Sequence, residues 1–184
     1  DRLRAELGAD SVEYESSGLP AYAVDGQLPR VKCMPADAAQ VGTVLRLAGE
    51  AGAAVIPWGG GTAMHLGNVP SRADVVLSLA RLSGLIEHDD ANLTATAQSG
   101  LTVAAFQEIL SRRRQFLPID PPQPGAATVA GVVSSNTNGP RRMLYGGVRD
   151  LVIGMKMVLA GGEAIKAGGK VVKNVAGYDM CKLF

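Results

Sequence analysis

Val55-Ile56-Pro57-Trp58-Gly59-Gly60-Gly61-Thr62-Ala63-Met64-His65 is the stretch whose reading decides the fold. An apolar run that reads as a strand passes through a proline into three consecutive glycines. Glycine lacks a Cβ, so it reaches φ > 0 and lets backbone N–H groups crowd a bound atom. Successive amides in such a bend form a nest for an anion, phosphate above all. Thr62 adds a hydroxyl donor. Taken alone, a run of glycines is equally the mark of a mobile turn. Two better-known phosphate motifs are absent. A G-x-G-x-x-G starting at Gly59 needs glycine where Met64 stands, and no G-x-x-x-x-G-K-[ST] occurs in the chain. A nucleotide held here is held outside a Rossmann or P-loop frame.

Working outward, Arg30 to Met34 alternates and reads as a strand. Asp37 is an N-cap with Gln40 at the N3 position of a capping box. Val41, Val44, Leu45 and Ala48 then share one helical face, and Gly52 stops the helix. Ala54 to Ile56 follows as a strand, which makes a β-α-β unit ending in the glycine loop. Asp74 to Leu79 is a third strand, and together these predict a small parallel-sheet lobe. Residues 1–30 read as a short charged helix and a loop.

Beyond Gly84, two segments, Gly84 to His88 and Leu93 to Gln98, read as a hairpin around Asp89-Asp90-Ala91-Asn92. Thr102 caps the next helix, with Leu101 and Phe106 as a hydrophobic staple. Val103, Phe106, Ile109 and Leu110 form its buried face. Arg112, Arg113 and Arg114 end it, where the helix dipole favours cations without any nucleic-acid role. Phe116 to Gly125 is a proline-stiffened loop expected to lack regular hydrogen bonds. Thr128 caps a short helix of small residues, and its orphan N–H groups offer a second anion site. Asn138-Gly139-Pro140 turns the chain. Leu151 to Ala160 reads as a long strand, Gly161-Gly162 as a tight turn and Glu163 to Ala167 as its partner. Lys170 to Lys173 reads as a further strand before a final helical turn.

Composition narrows the function classes. The chain has 184 residues, 47% hydrophobic and 19% charged, enough for a packed core and too apolar for disorder. A net charge of +1 gives no general drive toward nucleic acid. Cys33 and Cys181 lack any metal or disulfide spacing, so no metal is expected. No apolar run is long enough to span a membrane and no signal-peptide pattern opens the chain, which makes a cytoplasmic setting the expectation.

Several motifs in order resemble a known family. Pro57-Trp58-Gly59-Gly60-Gly61-Thr62, Ala127-Thr128-Val129-Ala130-Gly131, Asn138-Gly139-Pro140-Arg141-Arg142 and Tyr145-Gly146 resemble the PCMH-type FAD-binding domain of the vanillyl-alcohol oxidase superfamily. Within it, Gly168-Gly169-Lys170-Val171-Val172-Lys173-Asn174-Val175-Ala176-Gly177-Tyr178-Asp179 is similar to the FAD-binding subunit of bacterial glycolate oxidases. The resemblance implies a single two-lobed α+β domain over residues 1–184. Its small β-α-β lobe would cover about residues 28–83, and a larger mixed or antiparallel sheet with helices about residues 84–184. It implies FAD as the cofactor, with Gly59, Gly60, Gly61 and Thr62 holding the pyrophosphate beside Pro57, Trp58 and Met64. Pro122, Ala127, Thr128, Gly131 and Ser135 would line the flavin and ribityl chain, and Gly139 and Gly177 would let the backbone pass close to the dinucleotide.

Some members of the superfamily attach the flavin covalently through a histidine directly after the glycine loop, where Thr62 stands, so non-covalent FAD is expected, with His65 a structural or rim residue. The family continues into a substrate-binding cap domain, and these residues are expected to correspond to its cofactor half. The function implied is an FAD-dependent 2-hydroxy-acid dehydrogenase of the glycolate oxidase type, passing hydride from the substrate α-carbon to flavin N5. The alternative is a non-catalytic FAD-binding accessory or scaffold subunit. Either way the implied partners are flavoprotein and iron–sulfur subunits, through which the protein could meet a membrane, and a small 2-hydroxy acid. No catalytic base can be named. Gly60→Val is expected to abolish FAD binding while the fold survives.

Overall fold

The computed structural model describes residues 1–14, 17–169 and 178–183. The first half of the chain is a four-stranded sheet backed by one long helix. After helix α1 (Arg2–Leu7) and a 3-10 turn (Ala9–Ser11) come β1 (Val12–Tyr14), a second 3-10 turn (Leu19–Tyr22) and β2 (Val31–Cys33). Helix α2 (Ala38–Glu50), β3 (Val55–Trp58) and β4 (Val75–Ser78) complete the layer. Strand order is β1-β2-β4-β3, with β2, β4 and β3 parallel and β1 antiparallel on the edge. The sequence gives no sign of β1: three residues carry too little periodicity, and only pairing with β2 makes them a strand.

Helix α2 is bounded by its own residues. The Asp37 carboxylate accepts from the Gln40 amide at 2.8 Å, as a cap should. The Gln40 side chain reaches back to the Ala36 amide at 2.8 Å, one residue before the position a capping box would use. At the other end Gly52 takes φ 61°, and the Gly52 and Ala53 amides bond to the Gly49 and Ala48 carbonyls. That pair of bonds is a Schellman stop. Of the expected face, Val41, Val44 and Ala48 are buried, as is Leu47, and Leu45 is half-buried; Val41, Val44 and Leu45 pack with Cys33, Val75 and Leu77.

The second half is built on two further cores. β5 (Leu85–Asp89) and β6 (Thr94–Ala97) form the expected hairpin, which lies over Leu101, Phe106 and Leu110 at α3 (Val103–Ser111). Val103, Ile119, Ala127, Val132 and Val148 gather around α4 (Val129–Ser135). The chain then makes α5 (Arg142–Tyr145), α6 (Val148–Leu151), the hairpin of β7 (Gly154–Val158) and β8 (Ala164–Gly168), and α7 (Met180–Leu183).

The expected strand from Leu151 therefore begins only at Gly154. Asn138 Oδ1 accepts from the Val148 amide and Asp150 Oδ2 from the Gly147 amide, both at 2.9 Å, and these side chains fix a helical turn first. The fold is α+β. Among the described residues, the antiparallel strands of the second half form two separate hairpins, each on its own support: one over α3, the other reaching the first core through Val158. The strand read at Lys170 to Lys173 lies outside the described residues.

Candidate functional site

β3 ends at Trp58, whose carbonyl accepts from the Leu79 amide at 2.9 Å, and the backbone leaves the sheet there. From Gly59 through His65 no amide N–H has an acceptor among the described residues. Backbone donors are almost always paired in folded proteins, so a row of unpaired ones marks a place for water or a ligand. The loop is half-buried to exposed and so open to either. Pro57 is exposed, and Thr62 and Met64 are half-buried in the turn that follows.

The glycines have a second reason to be glycines. A Cβ at Gly60 would be driven into the Ala126 carbonyl oxygen, and one at Gly59 into the Thr128 hydroxyl. The loop thus lies directly on the segment Ala126–Thr128, and two of the sequence-predicted site stretches form one cluster. This corrects the expectation for Gly60→Val. The substitution would break a packing contact within the protein, so its loss of ligand could not be separated from damage to the fold.

The segment beneath is the paired start of two helices. Thr102 and Thr128 form an isolated antiparallel bridge, and each caps its own helix. Thr102 Oγ1 accepts from the Ala105 amide and Thr128 Oγ1 from the Gly131 amide, both at 3.2 Å. The other first-turn amides are exchanged across the pair. Val103 and Ala104 donate to the carbonyls of Ala127 and Pro124 at 2.9 Å. Val129 and Ala130 donate to those of Leu101 and Ser99, at 2.8 and 3.2 Å.

The proline loop forms no helix or strand, as expected, although its Pro124 carbonyl caps the start of α3. The expected anion site at the start of α4 is not there, because its orphan donors are already spent.

The remaining candidates divide. Gly131 sits 3.0 Å, measured from an added Cβ, from the Thr128 hydroxyl and belongs to the cluster. Ser135 is turned onto its own helix, donating to the Gly131 carbonyl at 2.7 Å and meeting Thr137 Oγ1 at 2.5 Å. Pro122 is exposed on the loop before Gln123. Gly139 is not placed against the glycine loop by any contact. The space of its missing Cβ is filled by Asp120, whose Oδ1 is buried without a partner among the described residues and whose Oδ2 accepts from the Arg141 amide at 3.3 Å. Gly177 lies outside the described residues.

The structure adds residues that no sequence pattern marked. Trp58 packs edge-on against Tyr22, with ring centroids 4.9 Å apart. Lys32 Nζ lies 4.7 Å from the centre of the Tyr22 ring and 3.4 Å from both Glu13 carboxylate oxygens. Burial works to lower the Lys32 pKa, but its contacts with Tyr22 and Glu13 outweigh that and hold it above the ordinary lysine value. Beside it, burial pushes the Cys33 thiol up to about 11, which makes it an inert core residue.

With the geometry in place, three kinds of likeness bear on it. The FAD binding domain family model matches residues 29–168. The chain is 31% identical, over an aligned length of 189, to the glycolate oxidase subunit GlcD of Bacillus subtilis, covering 100% of this chain and 40% of that protein. It is 35% identical to the D-lactate dehydrogenase of Archaeoglobus fulgidus over 151 residues, 81% of this chain and 33% of that one. The D-2-hydroxyglutarate dehydrogenase of Stutzerimonas stutzeri is 27% identical and is covered to 41%. The chain thus spans about two fifths of the length of these relatives or less.

Among solved structures, alkyldihydroxyacetonephosphate synthase superposes with a TM-score of 0.84 at 18% identity, over 99% of this chain and 36% of that one. p-Cresol methylhydroxylase does so at 0.75 and 22%, again over 99% and 36%. At such identities the superpositions show the fold, which is that of the PCMH-type domains.

Proposed function

The chain belongs to the FAD binding domain family, and from that premise we propose that it is the FAD-holding part of a glycolate oxidase-type 2-hydroxy-acid dehydrogenase. The observation that carries the reading is the row of unspent amides from Gly59 to His65, resting on the paired helix starts. A pyrophosphate calls for unpaired donors free of bulky side chains, and the glycines of this loop offer both. When bound, FAD supplies a hydride acceptor at N5 for the α-carbon of a 2-hydroxy acid.

The chain's own residues bind and orient. Gly59, Gly60, Gly61 and Thr62 hold the pyrophosphate through amides and one hydroxyl, with Pro57, Trp58 and Met64 shaping the turn. Pro122, Ala127, Thr128, Gly131 and Ser135 border the flavin side, and Gly139 and Gly177 are the further glycines that the resemblance assigns to the dinucleotide. Retention is non-covalent in this reading, since Thr62 stands directly after the glycines, where a histidine would carry a covalent flavin. The substrate class is supported by the names of the relatives, which share a 2-hydroxy acid: glycolate, D-lactate and D-2-hydroxyglutarate.

A second reading, an accessory subunit that holds FAD while another subunit oxidises the acid, is favoured by one observation. None of the residues assigned to the cofactor carries a side chain that titrates near neutrality, so no base comes with the site. The Bacillus relative is itself named as a subunit, which supports partner subunits for this chain; that these are flavoprotein and iron–sulfur subunits, in the cytoplasm and with membrane contact through them, is part of the proposal.

The test is an absorption spectrum of the full-length protein after loading with FAD and desalting. Flavin bands that persist, and that acid precipitation releases into the supernatant, are expected. A colourless protein overturns the reading. Anaerobic bleaching of the bands by glycolate or D-lactate distinguishes the enzyme from the accessory subunit, which bleaches only when its partners are co-purified.

A further inference from the structure

The glycine loop has a floor. Gly61 takes φ 71°, and at that angle the position of its absent Cβ is 2.7 Å from Cζ2 of the Trp58 indole. The loop therefore doubles back onto the ring of the residue that precedes it. An indole on a strand end can swing about two side-chain torsions, and its place sets where Gly61 and the amides around it come to rest. The ring is also packed against Tyr22, edge-on at 4.9 Å and 63°. Tyr22 comes from the 3-10 turn Leu19–Tyr22, an element unrelated to the loop in sequence. Its own ring lies under the Lys32 ammonium, which Glu13 holds. Contacts thus run from β1 through β2 and the turn to the end of β3, and end at the unspent amides.

We propose that Tyr22 is a positioning residue for the cofactor pyrophosphate: by packing on Trp58 it fixes the surface over which the Gly59–His65 loop folds. This rests on the reading of that loop as the pyrophosphate site. The physical gain is preorganisation. A loop already shaped when the ligand arrives loses less freedom on binding, and that saving appears as affinity. Tyr22 touches no ligand in this scheme and contributes nothing to chemistry.

Trp58 is the sole tryptophan of the chain, so its emission reports on the floor directly. The experiment titrates FAD into the full-length apoprotein, as parent, Tyr22→Phe and Tyr22→Ala, with acrylamide quenching of Trp58 measured beforehand. Tyr22→Leu, which keeps apolar volume without a ring, stands in if Tyr22→Ala fails to fold. The expected result is that loss of the ring weakens FAD binding about tenfold and exposes Trp58 to acrylamide, with the far-ultraviolet dichroism unchanged. Tyr22→Phe restores both. Parent affinity in Tyr22→Ala, with Trp58 still responding to FAD, overturns the proposal and leaves the loop reading intact. A parent that retains FAD without any response of Trp58 overturns the loop reading and the proposal with it.

Discussion

The glycine loop and the start of α4 touch one another, and both are backbone devices that sequence reading offers as anion sites. They differ in what their amides do. Those of Gly59 through His65 meet no acceptor among the described residues, whereas Val129, Ala130 and Gly131 give theirs to Leu101, Ser99 and Thr128. The chemistry of the donors is identical. What separates the two is whether another part of the chain arrives first. A helix N-terminus is a binding site only while it remains unpaired, and the bridge between Thr102 and Thr128 pairs two such termini against each other.

The largest effect is expected of Gly60→Val, which tests whether the loop rests on Ala126. The new side chain has to displace the Ala126 carbonyl, so we expect loss of flavin retention together with a stability loss of about 3 kcal/mol by denaturant titration. Loss of flavin at parental stability would mean that the loop does not rest on Ala126 as described.

A smaller effect concerns the core under the floor. The Cys33 thiol stays protonated in the folded protein until about pH 11, while the unfolded thiol ionises near 9.0. Between those values the unfolded state holds fewer protons, so stability falls as pH rises, by about 2 kcal/mol. Cys33→Ala should flatten that part of the pH profile, and an unchanged slope would assign it to other groups.

The smallest effects sharpen the comparison. Thr128→Ala and Thr102→Ala each remove one helix cap and should each cost about 1 kcal/mol in thermal or chemical unfolding. Because their amides serve the fold, Thr102→Ala should leave FAD affinity at the parental value and Thr128→Ala should weaken it far less than Gly60→Val does. A Thr102→Ala variant that loses FAD would show that the paired helix starts hold ligand after all.

The local elements were legible in the sequence wherever their cause is local. Asp37, Thr102 and Thr128 cap the helices they were expected to cap, Gly52 stops α2, and the hairpins turn where polar or glycine pairs stand. β1 and the turn at α6 were not legible. Three residues become a strand only through β2, and α6 depends on Asn138 reaching Val148 from ten positions away. Within the site, the residues of the loop were legible and the reason for some of its glycines was not: Gly60 is pressed on Ala126 as well as being free to meet a ligand, and Gly139 makes room for Asp120.

By itself the sequence determined the capped helices α2, α3 and α4, the strands β2 to β6 along the chain and the stretch of backbone able to face a phosphate. Those follow from side-chain periodicity, capping chemistry and the freedom of glycine, which act within a few residues. The tertiary structure alone decided which amides stay unspent, that Tyr22 pins Trp58, and that two helix starts consume each other's donors. Each of those is a contact between segments far apart in the chain, and a hydrogen bond is available to a ligand only after the fold has taken its share.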